Sequence, residues 1–202
     1  MILEYLVIVF YSLSLLFIFM FSLGQLHLTW HYLRSKKTSR LENEHNTELP
    51  TVTVQLPIYN EKYVVARLID AVCKFDYPAE LLEIQVLDDS SDDTLVIAEK
   101  KINEWSNKGI DIKHIRRPDR KGFKAGALQY GLERAKGEFI AIFDSDFLPK
   151  PDFVKRTVSE FTNEIGLVQT KWGHLNRNYS LLTRLLAIGL DAHFSNEHSG
   201  RS

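Results

Sequence analysis

Two aspartates separated by one residue, Asp144 and Asp146, follow the apolar run Phe139-Ile140-Ala141-Ile142-Phe143. If the chain stays extended there, both carboxylates face one point. Hard oxygen ligands at the end of a rigid element suit Mg²⁺ or Mn²⁺, which keep water and take substrate phosphate oxygens as further ligands. A cation so held neutralises the charge that develops on a diphosphate leaving group. A second acidic cluster, Asp88-Asp89-Ser90-Ser91-Asp92-Asp93, ends the run Ile84-Gln85-Val86-Leu87, and Tyr59, Asn60 and Glu61 follow a third run. The competing reading is that these acids cap the helices that follow; for Asp92 and Asp93 both readings stay open.

Between Lys113 and Lys124 there are six Lys or Arg residues and His114 against a single acid, Asp119. Most of these cations read as a solvated loop. Lys124 differs because it opens a helix as Lys124-Ala125-Gly126-Ala127, where an ammonium, a helix N-terminus and small residues together suit a phosphate. Arg120 and Lys121 would attract the anion. No Gly-x-x-x-x-Gly-Lys-Ser/Thr occurs, which excludes a P-loop. Cys73 is the one cysteine, so neither an intramolecular disulfide nor a Cys-based zinc cluster is possible, and its neighbours Ile69, Val72 and Phe75 assign it to packing. His193 and His198, with Asp191 and Glu197 nearby, match no metal motif of fixed geometry. Trp172 suits either a sugar ring or a structural contact.

These groups need elements to hold them. Thr51 to Leu56 is a β-branched strand closed by Pro57, and Asn60 to Phe75 has helical spacing up to Tyr77-Pro78. Ile84 to Leu87 is a second strand, Asp92 to Asn107 a helix, and Ile110 to Ile115 a third strand. Lys124 to Ala135 is helical. Phe139 to Phe143 has no polar face, the pattern of a central strand buried on both sides. A helix over Asp152 to Asn163 and a strand over Leu167 to Thr170 follow, then a largely apolar helix from Tyr179 to Leu190. Alternating strands and helices imply a doubly wound α/β sheet. In such sheets ligands sit beyond the carboxyl ends of the strands, where the acidic groups gather. The expectation is a cation-dependent site.

The N-terminus is different. Tyr5 to Leu23 is 19 residues interrupted only by Ser12, Ser14 and Ser22, and no Asp, Glu, Lys or Arg occurs from Tyr5 to Leu33. As a helix those 19 residues reach roughly 28 Å, the thickness of a bilayer's hydrocarbon. Glu4 in place of a basic flank, the length of the run and the lack of a small-residue cleavage pattern argue against a signal peptide. Arg34, Lys36, Lys37 and Arg40 then place everything after Arg34 in the cytosol. The expected organisation is a transmembrane anchor over 1–33, a juxtamembrane linker over 34–49 and a catalytic-type domain over 50–202. With 25 Lys and Arg against 26 Asp and Glu among 202 residues, the net charge of −1 argues against a nucleic-acid partner.

At this point the sequence resembles the inverting glycosyltransferases of family 2, in their membrane-bound cellulose-synthase-like and mannan-synthase-like branch. The resemblance is carried by Leu56-Pro57-Ile58-Tyr59-Asn60-Glu61, Tyr77-Pro78, Val86 to Thr94, Lys124-Ala125-Gly126-Ala127-Leu128 and Phe143-Asp144-Ser145-Asp146-Phe147. Val168-Gln169-Thr170, Leu181-Leu182-Thr183-Arg184 and Leu190-Asp191-Ala192-His193-Phe194 extend it. It implies a GT-A fold, C-terminally incomplete in this chain, and a nucleotide-diphosphate sugar donor such as a UDP- or GDP-hexose. It also implies a Mg²⁺ or Mn²⁺ cofactor and a growing β-linked glycan as acceptor. By the same resemblance Tyr59 and Glu61 line the nucleobase and ribose side, Asp88 or Asp89 contacts the nucleoside, and Lys124 binds the diphosphate. Asp144 and Asp146 coordinate the metal, and Gln169, Thr170 and Trp172 lie toward the acceptor. The family's Thr/Ser-Glu-Asp segment, which supplies the general base, and its Gln-x-x-Arg-Trp do not occur in these residues. The general base is therefore expected beyond Ser202. The chain reads as an N-terminal portion of a multi-pass membrane enzyme, carrying the donor half-site and inactive in isolation. A haloacid-dehalogenase-type phosphohydrolase shares the D-x-D but places it on its first core strand, with Thr or Val where Leu148 stands here. A degenerate, non-catalytic nucleotide-sugar-binding membrane module is the other alternative.

Overall fold

The structure is a computed structural model that describes residues 2–35, 48–162 and 164–194. Lys36, Lys37, Arg40 and most of the expected linker lie outside the described residues, as do Asn163, Glu197 and His198. Ser202 lies outside them too, so the expectation of a base beyond it is not tested by the fold. In chain order the elements are α1 (Ile2–Ser35), β1 (Val52–Ile58), α2 (Val65–Val72), β2 (Leu82–Asp88), α3 (Thr94–Ser106), β3 (Asp111–Ile115), α4 (Phe123–Leu132), β4 (Phe139–Ile142), α5 (Phe153–Val158) and α6 (Leu181–His193). They fall into two units: 43–168, which holds the sheet, and 1–42 with 169–202.

The sheet has the order β3-β2-β1-β4, and every neighbouring pair is parallel. Register sorts its residues by face. Val52, Val54 and Leu56 of β1 pair with Leu82, Ile84 and Val86 of β2, and Ile84 pairs in turn with Ile112 of β3. Because side chains alternate along a strand, these residues share a face, and all are buried. Val65, Leu68, Ile69 and Val72 of α2, at helical i, i+3, i+4, i+7 spacing, pack on that core with Ala98 and Ile102 of α3. Each of the Val, Leu and Ile side chains contributes about 1.5–3 kcal/mol by leaving water.

The opposite face is polar yet just as buried. Thr53 and Gln55 stand beside Glu83 and Gln85, each at most 4% exposed. Burial of uncompensated polar groups is costly, and here they compensate one another. The Thr53 hydroxyl donates to Glu83 (2.7 Å) and Gln55 Nε2 donates to Gln85 Oε1 (3.1 Å). Lys113 of β3 forms an ion pair with Glu83. Burial pushes the Glu83 carboxyl up, but the bonds from Lys113, the Lys136 amide and Thr53 outweigh it and leave the group below its ordinary value. The loop after α4 is tied down by the same residues, since the Lys136 amide reaches Glu83 (2.9 Å) and the Gly137 amide reaches Thr53 Oγ1 (2.8 Å). Gly131 brings α4 onto this face so closely that a Cβ would sit 2.7 Å from Gln55 Nε2.

Three expectations need correction. Pro57 does not close β1; the strand runs through it to Ile58. The amides of Phe139 and Phe143 donate to Thr51 and Gln55, while that of Asp89 donates to Ile58. Odd-numbered residues of β1 therefore face β4, and Pro57 has no N–H on a side where β4 has already ended. Second, among the described residues β4 is the outer strand rather than a central one, and Ile142 is 49% exposed. An all-apolar run reports that burial is wanted, without naming the neighbour that supplies it. Third, 167–170 is not a strand among the described residues. A strand is held by its ladder partner, and a four-residue run of two apolar and two polar residues has little else to fix it.

In the other unit, α1 contains a 30-residue stretch, Ile2–His31, whose most apolar 18-residue window has a mean hydropathy of 2.5 and is not buried. It is long and apolar enough to cross a membrane. Its hydroxyls satisfy themselves within the helix, Ser14 on the Phe10 carbonyl and Ser22 on that of Ile18, both at 2.8 Å. Ser180 caps α6 by accepting from the Thr183 amide (3.2 Å) while Thr183 Oγ1 accepts from the Ser180 amide (2.9 Å).

Candidate functional site

A cleft of about 450 Å³ opens at the carboxyl ends of the strands. It lies where the chain order reverses, with β2 on one side of β1 and β4 on the other, the switch point at which open α/β sheets bind ligands. Tyr59 and Glu61 enter it from the end of β1, Asp89 from β2, Arg120 and Lys124 from the segment leading into α4, and Asp144, Ser145 and Asp146 from β4.

The two aspartates at the end of β2 divide their work. Asp88 is 2% exposed and does not line the cleft; its carboxylate accepts the Ser90 amide (2.9 Å) and contacts His114 Nε2 (2.8 Å). Burial raises its carboxyl, and the His114 and Ser90 hydrogen bonds more than offset this, leaving it below the usual range. Asp89 does line the cleft. Arg117 grips it with two bonds, Nε to Oδ1 at 2.7 Å and Nη2 to Oδ2 at 2.5 Å. Of the capping candidates, Asp92 accepts the Thr94 amide at 3.0 Å at the start of α3, whereas Asp93, the N-cap residue, makes no side-chain cap bond.

Asn60 holds the first two loops together. Its φ of 56° is left-handed, a conformation Asn tolerates better than most residues. Its amide donates to Ser90 Oγ (3.0 Å), and its Oδ1 accepts the Ser91 amide (2.9 Å). Tyr59, thereby fixed at the rim, has the Arg120 guanidinium 3.3 Å from its ring centroid. Sequence reasoning left Arg120 as a general attractor and Arg117 in a solvated loop. The signal that could have separated them was an Arg-Pro at the end of a strand facing paired aspartates.

Past β4 the chain does not stay extended. The Phe147 amide bonds to the Asp144 carbonyl (3.1 Å), closing a turn, and both Asp144 and Asp146 still line the cleft. Lys124 forms an ion pair with Asp144, while the Asp146 side chain stands exposed. No group of three or more His, Cys, Asp or Glu side chains gathers as a metal site among the described residues. Two hard carboxylates with room beside them fit a cation that takes its other ligands from water and phosphate, so the donor set suits Mg²⁺ or Mn²⁺ and does not suit zinc. The Lys124 ammonium beside them is a donor of the kind that binds phosphate. Gln169, Thr170 and Trp172 belong to the other unit, where Trp172 lies 5.5 Å from the Phe194 ring. In that unit Asp191 is paired with Lys171 (2.8 Å) and Arg177 (3.5 Å).

Comparison with known proteins agrees with this arrangement. Residues 53–193 match the family described as Glycosyl transferase family 2. The chain is 45% identical over 161 residues to a probable glucomannan 4-beta-mannosyltransferase 11 of Oryza sativa subsp. japonica, covering 76% of this chain and 28% of that protein. It is 41% identical over 160 residues to glucomannan 4-beta-mannosyltransferase 1 of Cyamopsis tetragonoloba, covering 76% and 30%. The chain thus spans about three-tenths of the length of such relatives. Among solved structures, a mannosyltransferase from Pyrobaculum calidifontis in complex with GDP-Man and Mn²⁺ superposes with a TM-score of 0.57 at 28% identity, over 70% of this chain and 42% of that one.

Proposed function

The chain belongs to glycosyltransferase family 2, and from that premise we propose that it forms the donor-binding half of a membrane-bound, inverting hexosyltransferase that extends a β-linked polysaccharide. The donor we infer is a nucleoside-diphosphate hexose, with GDP-mannose favoured by the mannosyltransferase relatives. The observation that carries the reading is the convergence on one cleft of an aromatic ring, a gripped aspartate, a lysine and a D-x-D from three strand ends and the start of α4.

In this reading Tyr59 and Glu61 border the nucleobase and ribose, and Asp89 accepts hydrogen bonds from the nucleoside. Asp88, turned inward, supports that loop rather than touching the donor. Lys124 releases Asp144 and binds the diphosphate. Asp144 and Asp146 would hold Mg²⁺ or Mn²⁺, which supplies neutralising charge as the bond from the anomeric carbon to the diphosphate oxygen breaks. The acceptor hydroxyl attacks that carbon from the opposite side and gives up its proton. No residue up to Ser202 is assigned as the base that takes it, and we propose that the chain alone binds donor without transferring sugar. Gln169, Thr170 and Trp172 face the acceptor glycan. We further propose that α1 spans the bilayer, with residues after Arg34 on the cytosolic side, that 34–49 is the linker and that 50–202 is one partial GT-A domain.

Isothermal titration of the detergent-solubilised chain tests the donor reading. GDP or UDP should bind in the presence of Mn²⁺ or Mg²⁺ and lose at least about tenfold in affinity in Asp144→Asn, a change of about 1.4 kcal/mol. Nucleotide binding that ignores both the cation and Asp144 would contradict the assignment.

A further inference from the structure

Arg117 is one of the most heavily bonded side chains among the described residues of the sheet-bearing unit, and the reaction outlined above gives it no role. Its guanidinium makes four bonds. Two go to the Asp89 carboxylate, one from Nη1 to the Lys121 carbonyl (2.7 Å), and one from Nη2 to the Phe123 carbonyl (2.7 Å). The side chains of the Arg117–Asp89 pair are 7% and 8% exposed, so little of that pairing is shared with water. The two carbonyls belong to a turn that the backbone adopts reluctantly. Gly122 has φ 74° and Phe123, which bears a side chain, has φ 49°. That turn opens α4, whose first residues include Lys124. Gly126, one turn into the helix, approaches so closely that a Cβ would fall 2.5 Å from Nη1 and 2.1 Å from the Lys121 carbonyl oxygen. One planar fork therefore holds both Asp89 and the segment that presents Lys124.

Resting on the donor-site reading above, we propose that Arg117 is a positioning residue that locks the nucleoside end and the diphosphate end of the site into one body, so that filling either end prepares the other. A lysine cannot do this. Its ammonium is a point charge with three donors on a flexible stem, whereas the guanidinium spreads five donors in a rigid plane that can meet a carboxylate bidentately and still reach two carbonyls. A ligand with chemistry at both ends, a nucleoside joined to a diphosphate, is the one that gains from such a device.

The test uses the full chain in detergent micelles with Mn²⁺ present and splits the ligand into guanosine, or uridine if UDP is the nucleotide bound, and inorganic pyrophosphate. In the wild type, saturating pyrophosphate should tighten nucleoside binding by about fivefold or more, within the usual span of coupling between two sites. In Arg117→Lys that factor should fall to about one. Asp89→Asn, which breaks the same fork, should weaken the nucleoside and lower the coupling factor too, whereas Lys124→Gln, which leaves the bonds of Arg117 in place, should weaken the pyrophosphate alone. A merely structural Arg117 would lower both affinities and leave the coupling factor intact, and that result overturns the proposal. So does an Arg117→Lys chain that keeps the wild-type coupling. Should Arg117→Lys fail to fold, amide hydrogen exchange in the wild type decides. Pyrophosphate should slow exchange at 89–91 and nucleoside should slow it at 122–126; independence of the two ends refutes the coupling. A wild type that binds neither GDP nor UDP would overturn the donor-site reading itself.

Discussion

Gly126→Ala offers a severe test of the packing around the α4 N-terminus because two rules oppose each other there. In an ordinary helix interior the change stabilises by about 1 kcal/mol, since alanine loses less backbone entropy than glycine. Here the new Cβ would lie 2.1 Å from the Lys121 carbonyl oxygen and 2.5 Å from Arg117 Nη1, whereas real Cβ contacts essentially never fall below 3.0 Å. The Lys121 carbonyl must therefore retreat by about 0.9 Å, and that atom is backbone rather than the flexible end of a side chain. Overpacking of this kind costs about 1–3 kcal/mol. The Arg117 bond to the same carbonyl is lost or stretched, and hydrogen bonds to charged groups are worth about 1.5–3 kcal/mol. Set against the gain of about 1 kcal/mol, the net loss is about 3 kcal/mol. With a urea slope of about 2 kcal/mol/M, the unfolding midpoint should fall by about 1.5 M. Tryptophan fluorescence of the micelle-bound chain would read this through Trp105, whose indole N–H donates to Asp70 at 2.8 Å, in a Trp30→Phe, Trp172→Phe background. An unchanged or raised midpoint would refute the reasoning, because the close approach would then be absent.

Other perturbations probe separate parts of the molecule. Burial pushes the Cys73 thiol up to about 12, so at pH 8 it should resist a disulfide-exchange reagent in the folded chain and react fully in urea; rapid labelling without denaturant would contradict its placement. The Glu83 carboxyl titrates below its ordinary value when folded, so its stabilisation is present above the unfolded value of about 4.3 and is lost as pH falls through the folded one. The urea midpoint should therefore drop on acidification below about pH 4.3, and Glu83→Gln should flatten that decline while lowering stability at neutral pH. Asp146→Asn should weaken Mn²⁺ binding, read by electron paramagnetic resonance, by about tenfold or more, since one of two hard ligands loses its charge. Lys124→Gln should leave Mn²⁺ affinity equal or higher, because it frees the Asp144 carboxylate that the lysine occupies.

The α/β alternation and the apolar α1 were both readable, because each rests on local periodicity. The gathering of side chains at the strand ends was readable for a related reason: Asp89, Lys124, Asp144 and Asp146 lie beside long apolar runs or at a helix start, where sequence position fixes spatial position. What escaped depends on partners distant in sequence. The Pro118 that follows it is all that marks Arg117 apart from Arg116 locally, yet Arg117 is buried against Asp89, 28 residues away. Asp88 and Asp89 are adjacent in sequence, and only the strand's alternation turns the first inward and the second toward the cleft. The polar underside of the sheet was equally hidden, since Thr53, Gln55, Glu83 and Gln85 read singly as solvent-facing positions until α4 is laid over them. The strand expected at 167–170 failed because extended structure depends on a neighbour that four residues cannot specify.

Pro57 carries a consequence for how the site stays open. The next rung of the β1–β4 ladder would run from the amide of residue 57 to the Phe143 carbonyl, and that amide does not exist. The zipper between these strands has a missing tooth one step above its last closed one, at Gln55. Above that level the pairing stops, and the chain leaving β4 turns at Asp144 instead of continuing the sheet. The ladder thus ends at the level where the crevice begins, and Pro57 itself lines it.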